Sequence, residues 1–144
     1  MIHTPKKMES HSEKDTFEYA SRLARNAEPG SVICLEGDLG TGKTVFAKGF
    51  AAGLGVQENI SSPTFTIIKI YESGRLPLYH FDMYRIEDED EMNELGFEEY
   101  FYGDGVCLIE WPSQIPDLIP AGAVTIRIRK DPEKGDNYRE ITCS

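Results

Sequence analysis

A complete phosphate-binding loop at residues 37–44, with the pattern G-x-x-x-x-G-K-T, constrains the fold of this chain more than any other feature. Glycines within it allow a tight turn whose backbone N–H groups point at phosphate oxygens. Lys43 is expected to reach the β- and γ-phosphates of a nucleotide, and the hydroxyl of Thr44 to ligate Mg²⁺. The predicted nucleotide-binding residues are Asp38, Leu39, Gly40, Thr41, Gly42, Lys43, Thr44 and Val45.

The segments on either side of the loop have the character that this motif requires. Residues 31–36 form a short apolar run typical of a buried strand. Residues 45–54 have helical spacing, with Phe46, Phe50 and Leu54 on one stripe. Strand, loop and helix in this order favour a phosphate site over a glycine-rich turn that binds nothing.

The remaining pattern predicts one α/β domain over residues 1–144, a three-layer P-loop NTPase fold with a mixed, mostly parallel central sheet and antiparallel hairpins at its edges. Ser12 is expected to cap a first helix that Pro29 and Gly30 end, and Gly53 and Gly55 to close the second helix. Later strands are expected at 65–71, 76–84, 106–109, 124–129 and 138–143, the last as an edge strand, with short helices at 87–94 and near 97–101.

Composition limits the partners and the compartment. The net charge of −10 disfavours direct binding of nucleic acid, whose phosphates would be repelled, and favours a basic protein surface as the partner. No apolar run approaches the roughly 18 residues of a membrane span, and the first residues lack the apolar core of a signal peptide. We therefore expect no membrane association and a cytoplasmic location.

Glu110 is the first candidate for chemistry beyond phosphate binding. It ends the apolar run 106–109, and in an α/β sheet the carboxyl end of such a strand lies at the same edge as the phosphate loop. Glu110 is then placed to hold Mg²⁺ or to polarise an attacking water, although a surface acid at a strand end has the same pattern. Trp111, the single tryptophan, is either packed at the strand end or a platform beside the nucleotide or a partner.

A second polar cluster occupies residues 80–85. In an extended segment His80, Asp82 and Tyr84 share one face. Asp82 is a candidate base or a neighbour of the metal, and His80 and Arg85 are candidates to orient it or to meet phosphate. The alternative is an edge strand with a solvated face.

Two further segments have weaker signals. Hydroxyls at Ser62, Thr64 and Thr66 fit either a switch that follows the γ-phosphate or a plain turn. The acidic run 87–94 fits a solvated face better than a docking surface for a basic partner. The guanine-reading pattern [NT]-K-x-D does not occur, so adenine is the default base, and residues 10–16 and 130–139 are candidates to reach it.

The ordered combination of motifs resembles the TsaE family, also called YjeE, of small bacterial ATPases in the tRNA threonylcarbamoyladenosine pathway. The resemblance covers most of the chain. It rests on the loop at 37–44, on S-P-T-F-T at 62–66, on H-F-D-M-Y-R at 80–85 and on L-I-E-W-P at 108–112.

This resemblance implies an ATPase that is weak alone and acts with a TsaB–TsaD heterodimer, which transfers the threonylcarbamoyl group to adenosine at position 37 of tRNA. By the same resemblance Lys43 holds phosphate, Thr44 and Glu110 hold Mg²⁺, Asp82 is a further acid needed for hydrolysis, and 62–66 is a switch. The protein would meet tRNA only indirectly. The residues alone leave two alternatives open, a small-molecule kinase and a non-catalytic, nucleotide-dependent binding module.

Overall fold

A computed structural model describes residues 7–38, 40–61 and 67–144. Within these ranges the strands are β1 (Lys7–Ser10), β2 (Val32–Glu36), β3 (Ile68–Tyr71), β4 (Leu78–Asp82), β5 (Val106–Glu110), β6 (Val124–Lys130) and β7 (Arg139–Cys143). The helices are α1 (Glu13–Arg25), α2 (Lys43–Leu54), α3 (Asp90–Leu95) and α4 (Phe97–Phe101). None of the helices in the described ranges is long and apolar enough to cross a bilayer.

The strands form one mixed sheet in the order β1-β7-β6-β2-β5-β4-β3. The four central strands, β6, β2, β5 and β4, run parallel, whereas β3 pairs with β4, and β7 pairs with both β6 and β1, in antiparallel fashion. One apolar cluster joins the sheet to α1 and α2, and a second joins its other face to α3 and α4. The predicted three-layer α/β fold with antiparallel strands at the edges is therefore confirmed.

Two predictions about strands were wrong. β7 is not an edge strand, because β1 pairs with it, for example Met8 with Ile141. The strand predicted at 76–84 ends at Asp82, since the N–H of Met83 donates to the carbonyl of Glu110 and the chain turns at Tyr84 and Arg85. β4 also lies inside the sheet, between β3 and β5, which excludes the interpretation of it as a solvated edge strand.

The first helix confirms the predicted cap but ends earlier than predicted, and the second confirms only one of its two predicted closing glycines. The Ser12 side chain accepts a hydrogen bond from the N–H of Asp15 and caps α1, which ends at Arg25, before Pro29. Gly55 ends α2 in the left-handed conformation, with φ 82°. Gly53 does not close the helix, because it lies inside α2, where a Cβ would collide with the carbonyl oxygen of Ser21 on α1. This glycine therefore sets how closely the two helices pack.

Candidate functional site

The phosphate loop leads from β2 into α2, as the motif predicts. Gly42 precedes the first turn of α2 with φ 103°, a left-handed conformation that favours glycine, and no side chain caps the helix. The first N–H groups of α2 therefore lack side-chain acceptors, and the positive end of the helix dipole adds to them. Such a terminus binds anions, and phosphate is the anion that this loop fits.

Lys43 is a buried cation without a hydrogen-bond partner among the described residues. It is 7% exposed, and its Nζ lies 3.8 Å from the centroid of the Trp111 ring. Burial lowers the pKa of Lys43, while the nearby carboxylates of Glu110, Asp82 and Asp38 act in the opposite direction. An ammonium that is desolvated and unpaired is suited to receive a phosphate oxygen.

Two carboxylates face this lysine from neighbouring parallel strands. Asp82 on β4 pairs in register with Glu110 on β5, and Glu110 pairs in register with Leu35 on β2, just before the loop. Burial raises the pKa of Asp82, and the negative charge of Glu110 raises it further, while the N–H of Tyr84, which donates to its Oδ1, lowers it. A carboxyl group that holds its proton more tightly than usual is a better base once ionised.

His80 lies inside the protein and contacts Glu110. It is 1% exposed, and its Nε2 donates to the Oε2 of Glu110 over 2.6 Å, while Glu110 itself is 4% exposed. Its Nδ1 has no hydrogen-bond partner within the described part of the chain. This burial removes His80 from any partner surface, and its hydrogen bond goes to Glu110 rather than to Asp82.

Trp111 packs over the lysine, and Tyr84 packs against Trp111. Trp111 has φ 57° and is the only residue other than glycine with a positive φ in the described ranges. Its ring centroid lies 5.0 Å from that of Tyr84, which is 54% exposed, and Nε2 of Gln114 donates to the Tyr84 carbonyl. Trp111 therefore both packs at the strand end and presents a face to the cavity. Arg85 is exposed on the same turn.

The phosphate loop, the two carboxylates and Trp111 surround one cavity of about 320 Å³. Its lining residues all come from the phosphate loop and the ends of β4 and β5: Gly40, Gly42, Lys43, Thr44, Asp82, Glu110 and Trp111. No group of three His, Cys, Asp or Glu side chains in the described ranges is arranged to hold a metal ion alone. Mg²⁺ beside a nucleotide usually takes one or two protein ligands together with phosphate oxygens and water, so Thr44 and Glu110 fit it.

Two further cavities flank the loop. One, of about 760 Å³, is lined by the loop, Trp111 and the end of β6. The other, of about 120 Å³, lies where the start of α1 meets the start of β7, and its lining residues are Ser12, Glu13, Thr16, Gly40, Thr41, Gly42, Val45, Asn137 and Arg139. The segments 10–16 and 130–139, which we expected to reach adenine, therefore meet beside Val45.

The sequence motifs do not include one residue of the site, and some of the residues that they do include lie outside the described ranges. Arg139 contacts the phosphate loop, and the sequence includes it only as a member of the segment 130–139. Leu39, Ser62, Thr64 and Thr66 lie outside the described residues. The other predicted residues of the loop, together with Asp82 and Glu110, come together at the edge of the sheet.

Comparisons with known proteins find similar sequences that extend over most of the chain. The model of the family described as "Threonylcarbamoyl adenosine biosynthesis protein TsaE" matches residues 10–141. The tRNA threonylcarbamoyladenosine biosynthesis protein TsaE of Bacillus subtilis is 53% identical over 129 residues, which cover 90% of this chain and 78% of that protein. The TsaE protein of Treponema pallidum is 45% identical over 135 residues, which cover 94% of this chain and 97% of that protein.

A solved structure shows the same fold. The crystal structure of YdiB from Bacillus subtilis matches with a TM-score of 0.83 and 44% sequence identity, and the match covers 99% of this chain and 86% of that one. Since both identity and coverage are high, the likeness extends over the whole domain rather than over the phosphate loop alone.

Proposed function

The chain belongs to the TsaE family of tRNA threonylcarbamoyladenosine biosynthesis proteins, and from this premise we propose that it is a Mg²⁺-dependent ATPase that acts on a TsaB–TsaD heterodimer. In this proposal ATP hydrolysis supports turnover of the partner complex, and the partner carries out the transfer to tRNA. The protein acts in the cytoplasm and meets tRNA through its partner. The acidic chain, with a net charge of −10, supports contact with protein rather than with tRNA phosphates.

The observation that carries the proposal is the environment of Lys43. A buried ammonium without a hydrogen-bond partner in the described ranges lies beside the uncapped start of α2 and faces two carboxylates. A site built only to bind phosphate would gain nothing from Asp82 and Glu110, because negative charge repels phosphate. The pair of acids supports a site that also handles a metal ion and a water molecule.

Each side chain has a part in this mechanism. Lys43 and the N–H groups at the start of α2 bind and orient the β- and γ-phosphates. Thr44 and Glu110 would hold Mg²⁺, which neutralises phosphate charge when it is bound. Asp82, whose pKa is raised by burial, accepts a proton from water at a carboxylate oxygen. His80 holds the carboxylate of Glu110 in place through its Nε2.

The cavity beside Val45 supports a nucleotide that lies across the loop. It adjoins the cavity of the two acids, since Gly40 and Gly42 line both cavities and the acids line only the larger of these two. A nucleotide whose phosphates lie near Lys43 would therefore have its nucleoside between α1 and β7. With no guanine-reading motif in the sequence, we propose ATP as the nucleotide.

The proposal is tested by ATP turnover with and without purified TsaB–TsaD. Turnover is expected to rise when the pair is added, and Lys43→Ala is expected to abolish it. Glu110→Gln and Asp82→Asn should lower turnover while ATP still binds, because neither removes the phosphate loop. Transfer of the γ-phosphate to an acceptor other than water would instead show a kinase. Modification of tRNA that continues with both acid variants would show a binding module.

A further inference from the structure

Arg139, the first residue of β7, has its side chain against the phosphate loop, where it also lines the cavity beside Val45. Its Nε donates to the carbonyl oxygen of Thr41 over 2.8 Å, and its Nη2 donates to that of Gly40 over 3.5 Å. The remaining nitrogen, Nη1, donates to the carbonyls of Asp136 and Tyr138, both over 2.7 Å. All of these acceptors are backbone carbonyls, so the guanidinium joins the loop to the turn before β7.

The two loop carbonyls belong to peptide groups that adjoin Gly40 or Gly42. Gly40 and Gly42 have φ values of 80° and 103°, and glycine adopts positive and negative φ with similar ease. Peptide groups between two glycines can therefore rotate at little cost. A rotation that turned a carbonyl oxygen toward the cavity would place negative charge against a bound phosphate.

The geometry of the peptide group connects Arg139 with the anion site. In a planar trans peptide the C=O and the following N–H point in opposite directions. With the Thr41 carbonyl held toward Arg139, the N–H of Gly42 points away from Arg139. Gly42 lines both the cavity that contains Lys43, which Arg139 does not line, and the cavity beside Val45, which Arg139 does line. The N–H of Thr41 is held separately, because it donates to the carbonyl of Asp38 over 3.3 Å.

We propose that Arg139 is a positioning residue that keeps the phosphate loop in its anion-binding conformation before any ligand arrives. It acts by holding the carbonyls of Gly40 and Thr41 away from the cavity that contains Lys43. The ligand class is a polyphosphate. This inference rests on the proposed function only in taking the loop as a nucleotide site, and it makes no use of hydrolysis or of the partner. Arg139 was not among the residues that the motifs identify.

The test compares Arg139→Met, which removes every donor, with Arg139→Lys, which keeps the charge and one donor group. Arg22→Met, on the exposed side of α1, is the control for loss of a positive charge. Affinities for ADP and for inorganic tripolyphosphate are measured by calorimetry. Hydrogen exchange of the backbone amides of 40–44 is measured without ligand, together with the melting temperature.

The proposal expects Arg139→Met to weaken both ligands by about tenfold or more and to speed exchange at 40–44 in the free protein, while exchange in the β2 and β5 amides stays unchanged. Arg139→Lys should recover part of both effects, and Arg22→Met should show neither. Unchanged affinity in Arg139→Met overturns the proposal. Weaker binding of ADP alone also overturns it, because that result indicates a direct contact with the nucleoside.

One further outcome separates this proposal from a general role of Arg139 in stability. Faster exchange throughout the sheet in both Arg139 variants overturns it, since Arg139 would then support the fold in general. The free-protein exchange is readable whether or not the chain hydrolyses ATP or responds to TsaB–TsaD. The role of Arg139 can therefore be confirmed even if the chain does not hydrolyse ATP, and ATP hydrolysis can be confirmed even if Arg139 has no such role.

Discussion

The Nε2 of His80 lies 2.6 Å from the Oε2 of Glu110, and both side chains are buried. His80 pairs in register with Leu108, two residues before Glu110, so the contact runs diagonally between neighbouring parallel strands. Leu78 and Leu108 belong to the cluster that packs against α1 and α2, which places His80 and Glu110 on the face that carries the phosphate loop. The hydrogen bond thus restrains a carboxylate that points toward Lys43.

Replacing His80 with Leu should lower the unfolding free energy by about 1–3 kcal/mol, because Glu110 would be left buried without this hydrogen bond. We expect kcat for ATP to fall about tenfold or more and the Kd for nucleotide to change by less than about threefold, since the phosphate loop is intact. Denaturant unfolding measures the stability, steady-state turnover measures kcat, and nucleotide titration measures the Kd.

His80→Gln is the matched control, because its side-chain amide can donate to Glu110. It should recover part of kcat. A double-mutant cycle of His80→Leu with Glu110→Gln should give a coupling free energy of about 1 kcal/mol or more. A coupling free energy near zero would show that the contact contributes nothing to either property.

Lys43→Met should stabilise the nucleotide-free protein. Burial lowers the pKa of Lys43, so the charged form is less favourable in the folded protein than in the unfolded chain. Methionine removes this penalty and still packs on Trp111, so we expect a melting temperature higher by roughly 3 °C, equivalent to about 1 kcal/mol. Nucleotide affinity should be lost at the same time. A lower melting temperature would show that the attraction of Lys43 to the nearby carboxylates and its contact with Trp111 together outweigh the cost of burial.

The carboxyl group of Asp82 should make stability depend on pH. Because its pKa is raised above 3.8, the folded protein keeps this proton at pH values where the unfolded chain has lost it. Unfolding then releases a proton, so the contribution of Asp82 to stability falls as the pH rises through the range just above 3.8. The unfolding free energy of the wild type minus that of Asp82→Asn should decrease over this range in urea titrations at fixed salt. A difference that stays constant or increases would contradict the raised pKa.

The parts of the site that sequence predicts are those with a local signal. The loop at 37–44 has a fixed pattern of glycines, and Glu110 follows an apolar run, so both could be placed from neighbouring residues alone. Contacts of His80 with Glu110 and of Arg139 with Thr41 could not, because they depend on the order of the strands. The periodicity of the sequence does not predict that β4 lies beside β5.

Weak local signals also explain the errors in the strands predicted from the sequence. β1 is only four residues long, and its sequence K-M-E-S shows little apolar alternation, so nothing predicted that it would cover β7. The extended prediction for β4 included Met83 and Tyr84 because their alternation continued past the point where Met83 bonds to Glu110. In both cases a partner distant in sequence determined the boundary.

Gly53 was misread for a related reason, since a glycine near a helix end resembles a stop signal. Its structural role predicts that Gly53→Ala lowers the unfolding free energy by about 1–3 kcal/mol, because the new Cβ would collide with the Ser21 carbonyl and push α1 from α2. Gly122→Ala is the control, since a Cβ there meets no atom within 4 Å and its φ is not positive. Urea unfolding measures the free energy of unfolding of both variants. Equal values would show that α1 and α2 can move apart without loss of stability.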